Sequence, residues 1–336
     1  MGPVAAGSAR RVNPAEDPVG LGSVNYPGRV KLTPPLPTPP ILRLGKAVGK
    51  VQRTFGETLR SKVAGPDAAE RGQTIWGKPG ERWFTPDDPI WRVHEDASMF
   101  VGGITALLLQ SLHPAAMAGV AGHSGYRSDP WGRLARTADY IAHTTYATIE
   151  DAEAVIAKVR GVHDRVQGKD HAGRPYRASD PHLLTWVHVA EIDSFLTAYQ
   201  AYGAGRLTPA EADTYVAQAG RAASLLGVPE PPTTVADLRA TIDAYRPELE
   251  VTEPARDAAR FLIVEPPLPL VARPGYATLV AGAIAILPDW ARTMLDVPFD
   301  RVATIAGRPL GRFGAAAVRW GLAGVQDGRR SAPPAG

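Results

Sequence analysis

The sequence contains no cysteine among its 336 residues. This absence excludes disulfide bonds, thiolate nucleophiles and every metal centre that is held by thiolate ligands. Any metal ion must therefore be bound by histidine, carboxylate, tyrosine or methionine side chains, and there are only four methionines.

A marked excess of one charge is also missing. The chain has 37 basic and 34 acidic residues, which give a formal net charge of +3. This balance is too even to indicate a nucleic-acid surface, and no nucleic-acid-binding motif occurs. We therefore expect no nucleic-acid partner.

Long hydrophobic runs are absent as well. The longest, Phe100–Leu109 and Tyr276–Leu287, are shorter than the roughly 18 residues that a spanning helix needs. Residues 1–16 lack the apolar segment of a secretory signal. The sequence predicts a cytoplasmic protein with no membrane span.

Composition divides the chain into four parts. Residues 1–40 are rich in proline and glycine, which favours an extended arm over a packed fold. Residues 41–85 contain a basic amphipathic helix and a connection; this helix either packs against the body or lies on a membrane surface. We assign residues 86–325 to one all-helical domain and residues 326–336 to a flexible tail.

From Pro86 onward, helical spacing of apolar residues alternates with glycine and proline punctuation, whereas strand signals are scarce. Asp180-Pro181 and Thr208-Pro209 are typical of helix starts, with a capping residue before a first-turn proline. The predicted helices are 97–112, 132–149, 151–167, 181–202, 209–226, 235–245, 276–287 and 289–295. The predicted fold class is all-α.

Histidines are concentrated in the central third of the chain. Seven of the eight histidines lie there: His113, His123, His143, His163, His171, His182 and His188. His163 shares a helical face with Ile156, Val159 and Val166, so its imidazole should point into the core. There it is either hydrogen-bonded or bound to a metal, and spacing alone favours the hydrogen bond. Gly161 leaves room for a flat ligand beside this helix.

Arg133 and Thr137 lie one helical turn apart, and Arg136 lies on the adjacent strip. Guanidinium and hydroxyl groups together suit a carboxylate or a phosphate. The alternative is a solvated helix face with an ion pair to Asp129 or Asp139. The pattern leaves both interpretations open.

His188 and Glu191 lie three residues apart on an otherwise apolar stripe with Leu184 and Phe195. Such a pair suits proton transfer or ligand orientation, or else forms a satisfied polar contact between helices. His113, at a predicted helix end, is assigned a structural role. The remaining histidines, assigned to the surface or to loops, are His94, His123, His143, His171 and His182.

Four segments, in the same order, carry a resemblance to a known family. They are residues 102–114, 128–137, 162–168 and 176–188. In these segments the chain resembles the bacterial and fungal proteins that share a catalytic domain with latex-clearing rubber oxygenase and with the membrane-bound oxygenase of mycophenolic acid biosynthesis. The resemblance covers roughly residues 90–300.

The resemblance implies an all-helical, globin-like fold that encloses a non-covalent b-type haem. By the same carry-over His163 is the axial iron ligand, and Arg133 and Thr137 lie beside the haem. Arg136 occupies the position of a lysine that reaches the distal side in rubber oxygenases. Arg136, His188 and Glu191 are the candidate catalytic residues.

The expected activity is that of a haem-dependent oxidoreductase or oxygenase acting on a hydrophobic small molecule with dioxygen or peroxide, through alkene cleavage or tailoring of a specialised metabolite. The acidic distal residue of rubber oxygenases has no counterpart in residues 113–120, which disfavours polyisoprene as the substrate. The alternatives are a haem-dependent dehydrogenase or peroxidase-like enzyme without oxygen insertion, and a non-catalytic haem-binding sensor or carrier. A homodimer is compatible with the sequence.

Overall fold

Helices form nearly all of the regular structure in the computed structural model. The described residues are 49–59, 61, 65, 68–297 and 300–330, and all belong to one unit that spans residues 44–336. The predicted arm at residues 1–40 and the end of the predicted tail, residues 331–336, lie outside them. The predicted all-α class agrees with this mostly helical structure.

The described helices are α1 (Ala68–Gly77), α2 (Pro89–Glu95), α3 (Met99–Gln110), α4 (Pro114–His123), α5 (Pro130–Tyr146), α6 (Ile149–His163), α7 (Pro181–Tyr202), α8 (Pro209–Leu226), α9 (Val235–Tyr245), α10 (Glu253–Ile263), α11 (Arg273–Ile286), α12 (Asp289–Met294) and α13 (Asp300–Arg330). Residues 49–59 are helical too, within the predicted amphipathic segment. Short 3₁₀ turns occur at Arg246–Glu248 and Leu270–Ala272.

Local capping chemistry explains several helix starts. The Asp180 side chain accepts a hydrogen bond from the backbone N–H of His182 at the start of α7. At α8, Thr208 and Glu211 form a reciprocal capping box, and Pro209 occupies the first helical position between them. Helices α7, α8 and α9 accordingly have the predicted bounds.

Several elements differ from the sequence predictions, and for α1, α2 and α13 no helix is predicted. Pro114 begins α4 rather than only ending the preceding helix, because the His113 side chain caps α4 by accepting from the backbone N–H of Ala116. An antiparallel hairpin of β1 (Gln167–Lys169) and β2 (Pro175–Arg177) follows α6. Its strands of three residues are too short to produce an alternating pattern.

The centre of the unit is built from α3, α7, α11 and α13. Close approach of α3 to α7 depends on Gly102, because a Cβ atom there would lie 2.9 Å from Cδ1 of Phe195. Trp186 of α7 is fully buried and donates its indole N–H to the carbonyl of Gln110. This core fixes α7, which carries two of the candidate catalytic residues.

Helix α13 extends beyond residue 325, where we drew the boundary of the tail, and reaches Arg330. Within the described residues, no single helix has both the length and the apolar character needed to cross a membrane. Helices α3 and α4 pass that test only when taken together, and they are bent by 110° relative to each other.

Candidate functional site

Five helices border the region of the predicted site residues. Helix α5 packs against α6, α6 against α8, and α8 against α7, while α2 packs against α5, α7 and α8. By contrast, α7 makes little or no direct contact with α5 or α6. We refer to the region between α5, α6 and α7 as the crevice.

Glu191 of α7 is partly exposed, yet burial raises the pKa of its carboxyl group to about 7. Burial raises the pKa of Tyr140 on α5, and the negative charge of Glu191 raises it further by a smaller amount. The electrostatic influence of Glu191 on Tyr140 therefore connects α7 with α5 across the crevice. A carboxyl group with this pKa can hold or release a proton near neutral pH.

His188 lies three residues before Glu191 and is buried. Its Nε2 atom has no hydrogen-bond partner among the described residues. Burial lowers the pKa of His188 to about 4, so the imidazole is neutral at physiological pH. A neutral ring can donate or accept a hydrogen bond, or bind a metal ion.

His163 is the last residue of α6 and is half-buried. Its Nδ1 atom is buried and has no hydrogen-bond partner within the described part of the chain, and burial lowers the pKa of the ring. As predicted, Ile156 on the same face is buried. A Cβ atom on Gly161 would meet no heavy atom within 4 Å, so the space beside this residue is open.

Arg133 lies in the first turn of α5 and is half-buried. Burial lowers the pKa of Arg133, and the nearby positive charge of Arg136 lowers it further by a smaller amount. No ion pair of Arg133 occurs in the described part of the chain. Only Ala147 and Thr148 connect α5 to α6, so the two helices form a hairpin. Arg133 near the start of α5 and His163 at the end of α6 both lie at the end of the pair opposite this connection.

The other two arginine-motif residues lie on the surface. The Arg136 side chain is 64% exposed, and its Nη1 atom lies 3.2 Å from Oδ2 of Asp129. Thr137 is exposed and donates a hydrogen bond to the carbonyl of Arg133 in its own helix. Arg136 thus has the ion pair of the alternative interpretation, whereas Arg133 does not.

The assignment of His94 to the surface is wrong. Its Nδ1 atom lies 2.8 Å from Oγ1 of Thr145, its ring meets Phe195 edge-on, and burial lowers its pKa to about 3. The spacing of Ile90, His94 and Ala97 on one helical face was the signal that could have revealed this position.

A cluster formed by His113, His182 and Glu248 is not predicted from the sequence. One ligand atom from each of these residues lies within 4.8 Å of the others. They come from the start of α4, the first turn of α7 and the 3₁₀ turn Arg246–Glu248. We refer to this set as the His–Glu cluster.

Comparison with known protein families gives a match over most of the chain. The family model described as "ER-bound oxygenase mpaB/B'/Rubber oxygenase, catalytic domain" matches residues 91–320. No curated protein and no solved structure matches the chain. The matched range contains α5, α6, α7 and α8 in full and all of α2 except its first two residues. The chain therefore belongs to the family of the mpaB-type and rubber oxygenase catalytic domain.

Proposed function

We propose that this protein is a haem-dependent oxidoreductase of the oxygenase type that acts on a hydrophobic small molecule. In this proposal the helices around the crevice hold a b-type haem in a globin-like arrangement, and His163 is the iron ligand. The observation that carries the proposal is the half-buried His163, whose Nδ1 atom lacks a partner in the described structure. The family membership supports an oxygenase in general terms.

The donor set fits a haem. Burial favours the neutral form of His163, and the neutral imidazole is the form that binds iron. A buried polar atom without a partner costs about 1–3 kcal/mol, so an imidazole in this state needs a further role or a bound group. Arg133 adds a guanidinium group without an ion pair in the described structure, and such a group suits a haem propionate.

When bound, the haem would supply the redox chemistry and the site at which dioxygen or peroxide reacts. His163 would hold the iron, and Arg133 would orient a propionate; Thr137 would join Arg133 only after its hydroxyl leaves the carbonyl of Arg133. Glu191 holds or releases a proton near neutral pH, and the neutral His188 donates or accepts a hydrogen bond. Arg136 can contribute only after its side chain leaves Asp129.

The apolar neighbours of the His188–Glu191 pair on α7 are mostly engaged in the core. Leu184 packs with Ala223 and Val228, and Phe195 lies against Gly102 of α3. Val187, one residue before His188, is half-buried and is the apolar residue of this segment that we assign to a hydrophobic substrate. Residues 113–120 contain no counterpart of the acidic distal residue of rubber oxygenases. Glu191 provides an acidic group on α7 instead.

The test is an absorption spectrum of the full chain after supplementation with haem, followed by turnover assays with hydrophobic alkenes under labelled dioxygen. The proposal predicts a Soret band and heavy oxygen in the product. Turnover without heavy oxygen in the product would indicate the dehydrogenase or peroxidase alternative. Ligand-induced Soret shifts without turnover would indicate a sensor or carrier. Absence of any Soret band would overturn the haem assignment.

A further inference from the structure

The His–Glu cluster joins three segments that are distant in the sequence. Nε2 of His182 lies 2.8 Å from Oε2 of Glu248, and Nε2 of His113 lies 3.8 Å from the same oxygen. The side chains of His182 and Glu248 are 52% and 47% exposed, whereas that of His113 is only 8% exposed. The cluster is thus anchored in the core on one side and open to solvent on the other.

The hydrogen bonds of Tyr245 determine which nitrogen of His182 carries the proton. The Tyr245 hydroxyl donates its only hydrogen to the carbonyl of His182 at 2.7 Å. It must therefore accept from Nδ1 of His182, which lies 3.1 Å away. In the neutral ring of His182, Nε2 then carries a lone pair that is directed at Oε2 of Glu248. Two such atoms repel each other unless a cation lies between them. This cation is either a proton or a metal ion.

His113 distinguishes between these two cations. Its Nε2 atom is buried and has no hydrogen-bond partner in the described structure, and 3.8 Å from Glu248 is too long for a hydrogen bond. A proton shared by His182 and Glu248 leaves this nitrogen unsatisfied. A metal ion bound among the three side chains would satisfy Nε2 of His113 once the ring proton moves to Nδ1, which then no longer accepts from the backbone N–H of Ala116.

We propose that His113, His182 and Glu248 bind a divalent transition-metal ion of the zinc type. Two imidazole nitrogens and one carboxylate are ligands that zinc accepts, with water at an open fourth position. Ligands about 2.1 Å from one ion are at most about 4.2 Å apart, so small movements of the exposed side chains complete the set. The hydroxyl of Tyr245 acts as the outer partner that orients a metal-bound histidine.

The ion would fasten the first turns of α4 and α7 to the 3₁₀ turn after α9. This site is separate from the crevice and does not rest on the proposed haem function. It also requires no residue from the set assigned to the haem.

The test is isothermal titration of zinc into tag-free, chelator-treated full chain, with metal analysis after dialysis. We expect one equivalent of tightly bound zinc. His182→Ala and Glu248→Gln should weaken zinc binding at least as much as the loss of an outer partner does, which is about 10–100-fold. His113→Asn should do the same, and its side-chain oxygen retains an acceptor at the start of α4, which guards against simple misfolding.

The matched control is His171→Ala, which removes a nearby histidine paired with Glu250 at 3.1 Å but outside the cluster. This variant should bind zinc like the wild-type chain. Two results would overturn the metal site: no zinc retained by the wild type, or retention of zinc by the folded His182→Ala and Glu248→Gln variants. Haem binding is measured separately by the Soret band, so the two proposals fail independently.

Discussion

Replacement of Glu191 by glutamine should make the haem-free protein less sensitive to alkaline pH. Burial raises the pKa of this carboxyl group from an ordinary value of 4.5 to about 7. The folded protein therefore holds the proton more tightly than the unfolded chain, and stability falls as the pH rises from 4.5 to 7. Above pH 7 the ionised carboxylate costs about 3 kcal/mol of folding free energy, at about 1.4 kcal/mol per tenfold change in proton affinity.

The assay is urea unfolding of wild-type and Glu191→Gln protein between pH 5 and pH 8. We expect the free energy of unfolding of the variant to gain about 2.5 kcal/mol relative to wild type over this range. Glu153→Gln, on the exposed side of α6, is the matched control and should follow the wild type. Equal pH dependence of wild type and Glu191→Gln would refute the argument that burial disfavours the ionised carboxylate.

Three further substitutions test the packing that supports the site. Gly102→Ala brings a methyl group against Phe195, so thermal unfolding should show a loss of about 1–3 kcal/mol; unchanged stability would mean that α3 and α7 are farther apart. Thr208→Ala removes the capping box of α8 and should cost about 1 kcal/mol in urea unfolding, and no loss would contradict that geometry. Arg319→Met leaves the buried carboxylate of Asp96 without its guanidinium partner and should cost about 3 kcal/mol, whereas a loss below about 1 kcal/mol would argue against a buried pair.

Sequence patterns predicted those helices whose ends are fixed by local chemistry. Asp180-Pro181 and Thr208-Pro209 mark the starts of α7 and α8 because capping and a first-turn proline act within a few residues. The start of α4 is not predicted, because a proline disfavours helical geometry in the residue before it and Pro114 therefore indicates only the end of the preceding helix. The β1–β2 hairpin was missed because strands of three residues carry almost no periodic signal.

The site residues were predictable only in part, and for similar reasons. Periodicity predicted an inward face for His163, which agrees with its half-buried position. The different surroundings of Arg133 and Arg136 follow from the neighbours of α5 and from the position of Asp129, which the spacing left open. The His–Glu cluster could not be predicted, because its three segments meet only through the tertiary packing of α4, α7 and the turn after α9.

Titration of haem into His163→Ala and wild-type protein, followed by absorption in the Soret region, tests whether His163 is the iron ligand. His123→Ala, on an exposed position of α4, is the control for loss of a histidine as such. We expect a Soret band in the wild type and the control, its loss in His163→Ala, and its partial return when imidazole is added. A folded His163→Ala protein with an unchanged Soret band would contradict the assignment of His163 as the iron ligand.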